Sequence, residues 1–596
     1  MRTVAFVLAA LAVFAQDIPR AEYPQPQFQR EQWMSLNGPW EFEFDDAHAG
    51  VRENWAASSS KKFSRTITVP FAFETKLSGI GDTSFHPEVW YRKTFTVPPA
   101  WKGRRVLLKF GAVDYRSWVW LNGKSLGQHQ GGNVPFRFDI TPSLAAGPNT
   151  ITVRVEDPPT DRYIPRGKQY WEPKSRSIFY TRTTGIWQPV WLEAAGDVYL
   201  ERARMTPSID GTLRIDARVA NPAEGASLTV RVLDGGNLVS SSTAPVRSQR
   251  VSLITGVSRP RLWSVGSPFL YDVEFEISRG GAAIDRVKSY TGFRSVSVER
   301  GKVALNGRPV YLKFVLDQGY WPESTLTPPS DEAIQYDIRM SKAMGFNGAR
   351  KHQKVEDPRF LYWADKMGFL VSGEIANAYE FDDEYVKAFT DEWMAAIERD
   401  YNHPSIIIWN PINESWGVPD IHDTRQQQHL RAMYTATKSL DPTRLVIDNE
   451  GWEHTDLTDL FAIHDYAPTG EALLRKYKER LASGVIPDVS RPVLAPGYKY
   501  NGTPFYLSEY GGIAFIPEGA KVPAESWGYS GVEKTSNAAY SRFAGLVDAI
   551  AELPFVGICY TQLTDVEQEI NGLMTYDRKP KFPVERIKEQ LDKLGR

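Results

Sequence analysis

The chain has 596 residues, too many for one hydrophobic core, so two to four domains are expected. Seventy Lys and Arg against 72 Asp and Glu leave a formal net charge of −2, which gives no basis for a nucleic-acid or anionic-membrane partner. A single cysteine, Cys559, excludes an internal disulfide and any metal site built from cysteines.

The chain opens with "MRTVAFVLAALAVFAQ", one basic residue followed by an apolar run from Thr3 to Phe14, with Val13 and Ala15 placed for signal cleavage before Gln16. Residues 1–15 are expected to be a signal peptide, so that the mature protein is exported, periplasmic or extracellular. No later stretch reaches the roughly 18 uninterrupted apolar residues of a membrane span. Residues 16–196 run as short alternating segments between turn residues. "RRVLLKFGAVDYRSWVWLNGKSLG" holds two of them, with Asn122-Gly123 as a hairpin turn. An N-terminal jelly-roll β-sandwich is predicted here. Residues 197–296 carry another block of short strands, "GTLRIDARVAN", "SLTVRVLDG" and "LYDVEFEISRG", whose size suits an immunoglobulin-like β-sandwich.

The rhythm changes after Lys302. Apolar runs now alternate with helical patterns: "RPVYLKFVLD", "FNGARKH", "GFLVSGE", "SIIIWNPINE", "RLVIDNEG", "LFAIHDY", "PFYLSEYG" and "FVGICYTQLTD". Helices are expected in "SDEAIQYDIRMSKAMG", "DDEYVKAFTDEWMAAIERDYN" and "TRQQQHLRAMYTATKSLD". This alternation predicts a C-terminal (β/α)8 TIM barrel over residues 297–596. A doubly wound open sheet would also alternate, but no strand is followed by a glycine-rich phosphate turn.

Barrel active sites lie at the C-terminal ends of the strands. Asn413 and Glu414 fall just past the fourth strand, and Glu509 falls near the end of the seventh. Two carboxylates at one mouth suit glycoside hydrolysis: one protonates the leaving oxygen, and the other attacks the anomeric carbon or activates water. Ion pairing at strand ends is the competing role for either residue alone. Arg350 at the end of strand two and Tyr466 after strand six are the cation and hydroxyl best placed to keep a carboxylate ionised. Asp317, His352, Glu374 and His464 are further strand-end candidates. Trp527 is a candidate sugar platform together with Trp321, Trp409 and Trp416, of which about two are expected to touch ligand. No His-x-x-x-His, EF-hand or phosphate-loop spacing occurs, so no metal or other cofactor is required.

Several stretches together resemble glycoside hydrolase family 2, which includes β-galactosidases, β-glucuronidases and β-mannosidases. They are "SLNGPWEFEF", "VWYRKTFTVP", "VWLNGKSLGQHQGG", "TTGIWQPVWLE", "LWSVGSPFLYDVEFEI", "TGFRSV", "LNGRPVYLKFV", "NHPSIIIWNPINES" and "FYLSEYGG". The resemblance implies a retaining, exo-acting enzyme on a carbohydrate substrate. Glu414 would be general acid and then base, Glu509 the nucleophile, and Asn413 the partner of the sugar 2-hydroxyl. Homo-oligomers are common in the family.

Three departures bear on the sugar. Where glucuronidases of the family carry Asn-x-Lys for a substrate carboxylate, this chain has Glu569 and Asn571 in "EQEINGLMTYDRKPK". Where Arg-x-Ser-His is common, "ARKHQKVEDP" brings His352 one place early and puts Gln353 in the histidine position. Strand eight ends in "CYTQLTD" instead of a tryptophan, leaving Gln562 or Asp565 at the pocket base. Neutral sugars are then favoured. A β-galactoside comes first, and a β-glucuronide, an arabinofuranoside, a galactofuranoside or a β-mannoside are the alternatives. A carbohydrate-binding protein with an inert barrel is the non-enzymatic alternative.

Overall fold

The computed structural model describes residues 18–57, 61–482 and 489–595; the predicted signal peptide lies outside them. The first module is a β-sandwich. One sheet has six strands in the order Arg65–Val69, Gly38–Phe44, Glu88–Thr96, Pro148–Glu156, Arg116–Leu121, Lys124–Gln130. The other has four: Trp33–Ser35, Val190–Ala195, Arg105–Phe110, Phe136–Asp139. Trp40, Phe42, Tyr91, Leu108, Phe110, Val153 and Leu192 fill the space between the sheets. Asn122 and Gly123 both hold positive φ, 52° and 76°, as a tight hairpin turn requires.

The second module packs a three-stranded sheet against a four-stranded one, both antiparallel. Thr212–Ala220 shows why the sequence was legible: Leu213, Ile215, Ala217 and Val219 alternate inward into one apolar core. The hairpin Val296–Glu299 and Lys302–Leu305 then leads into the barrel, and Val303 and Leu305 plug its lower end.

Eight parallel strands form the barrel among the described residues: β1 (Leu312–Asp317), β2 (Gly348–Lys351), β3 (Leu370–Glu374), β4 (Ile406–Asn410), β5 (Leu445–Val446), β6 (Phe461–Asp465), β7 (Phe505–Gly511) and β8 (Gly557–Thr561). Between them lie α1 (Asp331–Ala343), α2 (Pro358–Met367), α3 (Asp383–Asp400), α4 (Thr424–Leu440), α5 (Gly470–Ala482) and α6 (Ser536–Ala551), with α7 (Val584–Leu591) closing the chain. Ser330, Asp357, Asp382, Asp423 and Thr535 cap α1, α2, α3, α4 and α6 by accepting from a backbone amide of the first turn. Among the described residues no helix is long and apolar enough to cross a membrane.

The alternation predicted eight strands, but the fifth is only two residues long and no helix separates it from the sixth. β5 and β6 share no ladder, and side chains close that seam. The Asp459 carboxylate accepts from the Val446 amide at 2.8 Å, and buried His454 links Asp448 at 2.7 Å to Ala462 O of β6 at 2.8 Å.

Candidate active site

Strand alternation decides which polar side chains reach the mouth. In β1, Leu312, Phe314 and Leu316 belong to the interior cluster, whereas Val315 packs with the helices. Asp317 therefore points outward. It pairs with Lys351, which also holds Glu356 at 2.7 Å. Asp317, expected at the sugar pocket, is instead part of an ion cluster behind the strands.

Arg350 has the opposite parity and is wholly buried at the barrel axis. Its Nε donates to Glu374, Nη1 donates to Glu509 Oε1 at 2.7 Å, and Nη2 donates to Asn413 Oδ1 at 2.5 Å. Burial alone would raise the Glu374 carboxyl, but Arg350 and His352 bring it down to about 2. Glu374 thus positions Arg350. His352 lies 3.3 Å from Glu374, and burial pushes its imidazole down to about 4, so the ring is neutral near pH 7.

Glu509 faces the axis because β7 is irregular. Its register against β8 slips between Leu507 and Tyr510, and against β6 between Ile463 and His464. Such bulges re-aim side chains beside active sites. The Tyr466 hydroxyl donates to Glu509 Oε2 and lies 3.1 Å from Thr561 Oγ1, with its ring stacked on Tyr529 at 3.5 Å. Burial by itself would raise the Glu509 carboxyl. His464, Arg350, His352 and the Tyr466 hydroxyl outweigh burial and hold it well below the usual carboxylate range.

Glu414 and Ser415 stand past β4 with φ of 52° and 59°, left-handed values that non-glycine residues hold only under tight constraint. The loop after β5 supplies that constraint. The Glu414 amide donates to Glu450 O at 2.9 Å, the Ser415 amide donates to Asn449 Oδ1 at 2.9 Å, and Ser415 Oγ donates to Glu453. His464 bridges the two carboxylates: Nδ1 is 2.8 Å from Glu414 Oε1, and Nε2 is 3.5 Å from Glu509 Oε1 and 3.2 Å from Arg350 Nη1. One ligand atom from each of Glu414, His464 and Glu509 lies within 4.8 Å of the others. A divalent cation could bridge such a trio, but Glu509 is already claimed by Arg350 and Tyr466. Asn413 Nδ2 is buried and has no partner among the described residues, so a donor is free beside Glu414.

Gln562 is not open to a sugar. It is fully buried, it accepts from Gln318 at 3.0 Å, and it donates to Asn571 at 2.8 Å. Asn571 in turn donates to Glu569 at 3.0 Å, and the Tyr180 hydroxyl donates to Glu569 at 2.6 Å. This polar chain braces the pocket base. Trp409 and Trp321 are core: Trp409 donates to Asp441 at 2.9 Å, and the Arg578 guanidinium covers Trp321 at 3.7 Å. Trp416 and half-buried Trp527 stay at the mouth, Trp416 against Tyr379 at 4.9 Å and Trp527 against Tyr529 at 5.2 Å.

Two site residues escaped the sequence reading. Glu450, past β5 in "RLVIDNEG", is wholly buried beside Arg350 at 3.5 Å, and neither of its carboxylate oxygens has a hydrogen bond among the described residues. Burial raises its carboxyl against the pull of Arg350. An acid at a strand end was the available signal. Lys168, from the first module, reaches the same mouth, and nothing local in its sequence marks it.

A β-sandwich pair feeding an eight-stranded barrel, with two acids facing one another across its C-terminal mouth, has the build of a glycoside hydrolase. The chain belongs to glycosyl hydrolase family 2. The family's sugar binding domain matches residues 33–173, its central domain 198–294 and its TIM barrel domain 296–595. A Formosa agariphila protein described as "Putative beta-glucuronidase" is 30% identical over 445 residues, covering 70% of this chain and 40% of its own. A Vibrio cholerae beta-galactosidase is 27% identical over 475 residues, covering 72% of this chain and 44% of its own. The chain thus spans under half the length of these curated relatives. The solved b-glucuronidase from Ruminococcus gnavus in complex with D-glucaro 1,5-lactone superposes with a TM-score of 0.77 over 97% of this chain and 100% of that one. At 21% identity this likeness concerns the fold.

Proposed function

We propose that this protein is a retaining exo-β-glycosidase that releases terminal neutral sugars, β-galactosides first among them. The observation that carries the reading is the approach of Glu414 to Glu509, oxygen to oxygen within 4.8 Å. Retention uses carboxyls about 5–5.5 Å apart, while inversion needs about 6.5–9.5 Å to admit water between them. Glu509, ionised and held by Arg350 and Tyr466, attacks the anomeric carbon as the glycosidic C–O bond breaks. Glu414 gives its proton to the departing oxygen. Glu414 then takes a proton from water, whose oxygen attacks the same carbon and frees Glu509. The unpaired amide of Asn413 is available to the 2-hydroxyl, a contact that strengthens in the transition state.

Glu569 and Asn571, standing where the resemblance puts the Asn-x-Lys pair of the family's glucuronidases, support a neutral sugar. The names of the Formosa and Ruminococcus proteins support a β-glucuronide as the second reading. The test is hydrolysis of nitrophenyl β-galactoside, β-glucuronide, β-mannoside, arabinofuranoside and galactofuranoside by wild type and Glu509→Ala. Wild type is expected to cleave the galactoside best and the variant none, with first-formed product of unchanged anomeric configuration by NMR. An inverted first product overturns retention. Absence of turnover in both proteins favours a carbohydrate-binding role.

A further inference from the structure

The loop 166–169, "RGKQ", leaves the first module and lies flush on the barrel rim. The Arg166 and Gly167 amides donate to Asn377 O at 3.1 and 3.0 Å, and the Tyr379 hydroxyl donates to Gly167 O. Tyr180 N donates to Lys168 O at 2.8 Å, and Gln169 Nε2 donates to Asp114 at 2.8 Å. Gly167 has φ +57°, and a Cβ there would stand 2.3 Å from Gln353 O, so only glycine allows this seat. The loop delivers Lys168 into the mouth with 7% of its surface exposed.

Lys168 Nζ lies 5.1 Å from the ring of Trp416, two positions beyond Glu414. Its charge is felt by Glu569 on one side and His352 on the other. Among the described residues it pairs with no carboxylate and makes no side-chain hydrogen bond. The ammonium thus has the Trp416 ring beside it and keeps its N–H donors for an acceptor that a ligand supplies.

We propose that Lys168 is a substrate-binding residue that donates to a ring hydroxyl of the terminal neutral sugar. It deepens the neutral-glycoside reading above and rests on it. A hydroxyl suits this corner better than a carboxylate. Glu569 feels the charge of Lys168, and Glu374, Glu450 and Glu509 surround the guanidinium of Arg350, so a substrate anion meets net repulsion. A cation and an acid side by side can instead donate to and accept from hydroxyls.

The experiment compares wild type, Lys168→Met and Lys168→Arg on nitrophenyl β-galactoside, on its 3-, 4- and 6-deoxy analogues and on nitrophenyl β-glucuronide. K168M is expected to lose about 10- to 100-fold in kcat/KM on the galactoside, the scale of a hydrogen bond from a charged donor. K168R should recover part of that loss, with all three melting temperatures alike. On one deoxy analogue K168M and wild type should be equal, because the missing hydroxyl and the missing ammonium are one interaction. Unchanged galactoside turnover by K168M overturns the proposal, as does an equal loss on all three analogues or a loss confined to the glucuronide. Wild-type turnover of the glucuronide alone overturns the neutral-sugar reading itself, whereas neutral turnover unaffected by K168M overturns only the role of Lys168.

Discussion

At the scale of single residues, the site is a set of groups that keep Glu509 charged inside a buried pocket. Burial works against that charge, and Arg350 and Tyr466 restore it by direct donation to the two carboxylate oxygens. The two donors are not equivalent. Arg350 also holds Glu374 and stands beside Glu450, so removing it strands several buried acids and unfolds the site. Tyr466 touches Glu509 and Thr561 only through its hydroxyl, so Tyr466→Phe is the cleaner probe. The variant is expected to fold normally and to lose about 10²-fold in kcat, the order found for one preorganised donor. Its Glu509 pKa rises because a donor to the charged form is gone, so the acid limb of the kcat/KM profile moves to higher pH. A pH–rate profile superimposable on wild type would show that the hydroxyl does not hold the nucleophile.

At the scale of elements, the loop after β5 does the work usually left to a strand and helix. It carries Glu450, whose backbone carbonyl holds Glu414 in its left-handed turn, and Gly451, which makes room for His464. Gly451 has φ +108°, and a Cβ there would stand 2.6 Å from His464 Nδ1, the atom that meets Glu414. Gly451→Ala should therefore cost about 1–3 kcal/mol of stability. It should also lower kcat by more than that loss of fold explains, because His464 must leave Glu414. Thermal melts and kcat on folded protein check this, and a wild-type kcat would sever the loop from the site. The same elements show what a sequence discloses. β4 was legible because burial on both faces demands the unbroken run Ile406-Ile407-Ile408, and its end marked Glu414. Asp317 was misread because one place along a strand reverses a side chain, and Leu316 already faces the axis. Glu509 faces inward only through a bulge that no pattern of apolar residues announces. Lys168 was invisible because the residues around it, His352, Trp416 and Glu569, lie far along the chain.

At the scale of the whole molecule, the sandwich must stay docked for the pocket to keep its Lys168 rim, and one acid reports on that docking. Glu392, buried on α3, receives the Asn133 amide at 2.7 Å and Asn133 Nδ2 at 2.9 Å, while its second oxygen has no partner among the described residues. Burial outweighs these donors and pushes its carboxyl up from 4.5 to about 7. A folded pKa above the unfolded one means that the native state binds the proton more tightly. The stability this contributes is full below about 4.5, declines as pH rises through 7, and changes no further above that. Glu74, pushed up to about 8 by burial within the sandwich, slopes the same way. Glu392→Gln keeps an oxygen acceptor for Asn133 and removes the proton from the balance. Between pH 5 and pH 8, the window those two shifts define, the calorimetric melting temperature of wild type should drop relative to that of the variant, because His129, His352 and His429, pushed down to about 4 by burial, act on both proteins alike. The two curves should converge in acid. Parallel curves across that window would mean that the Glu392 carboxyl titrates normally and that the contact between sandwich and barrel draws its strength from elsewhere.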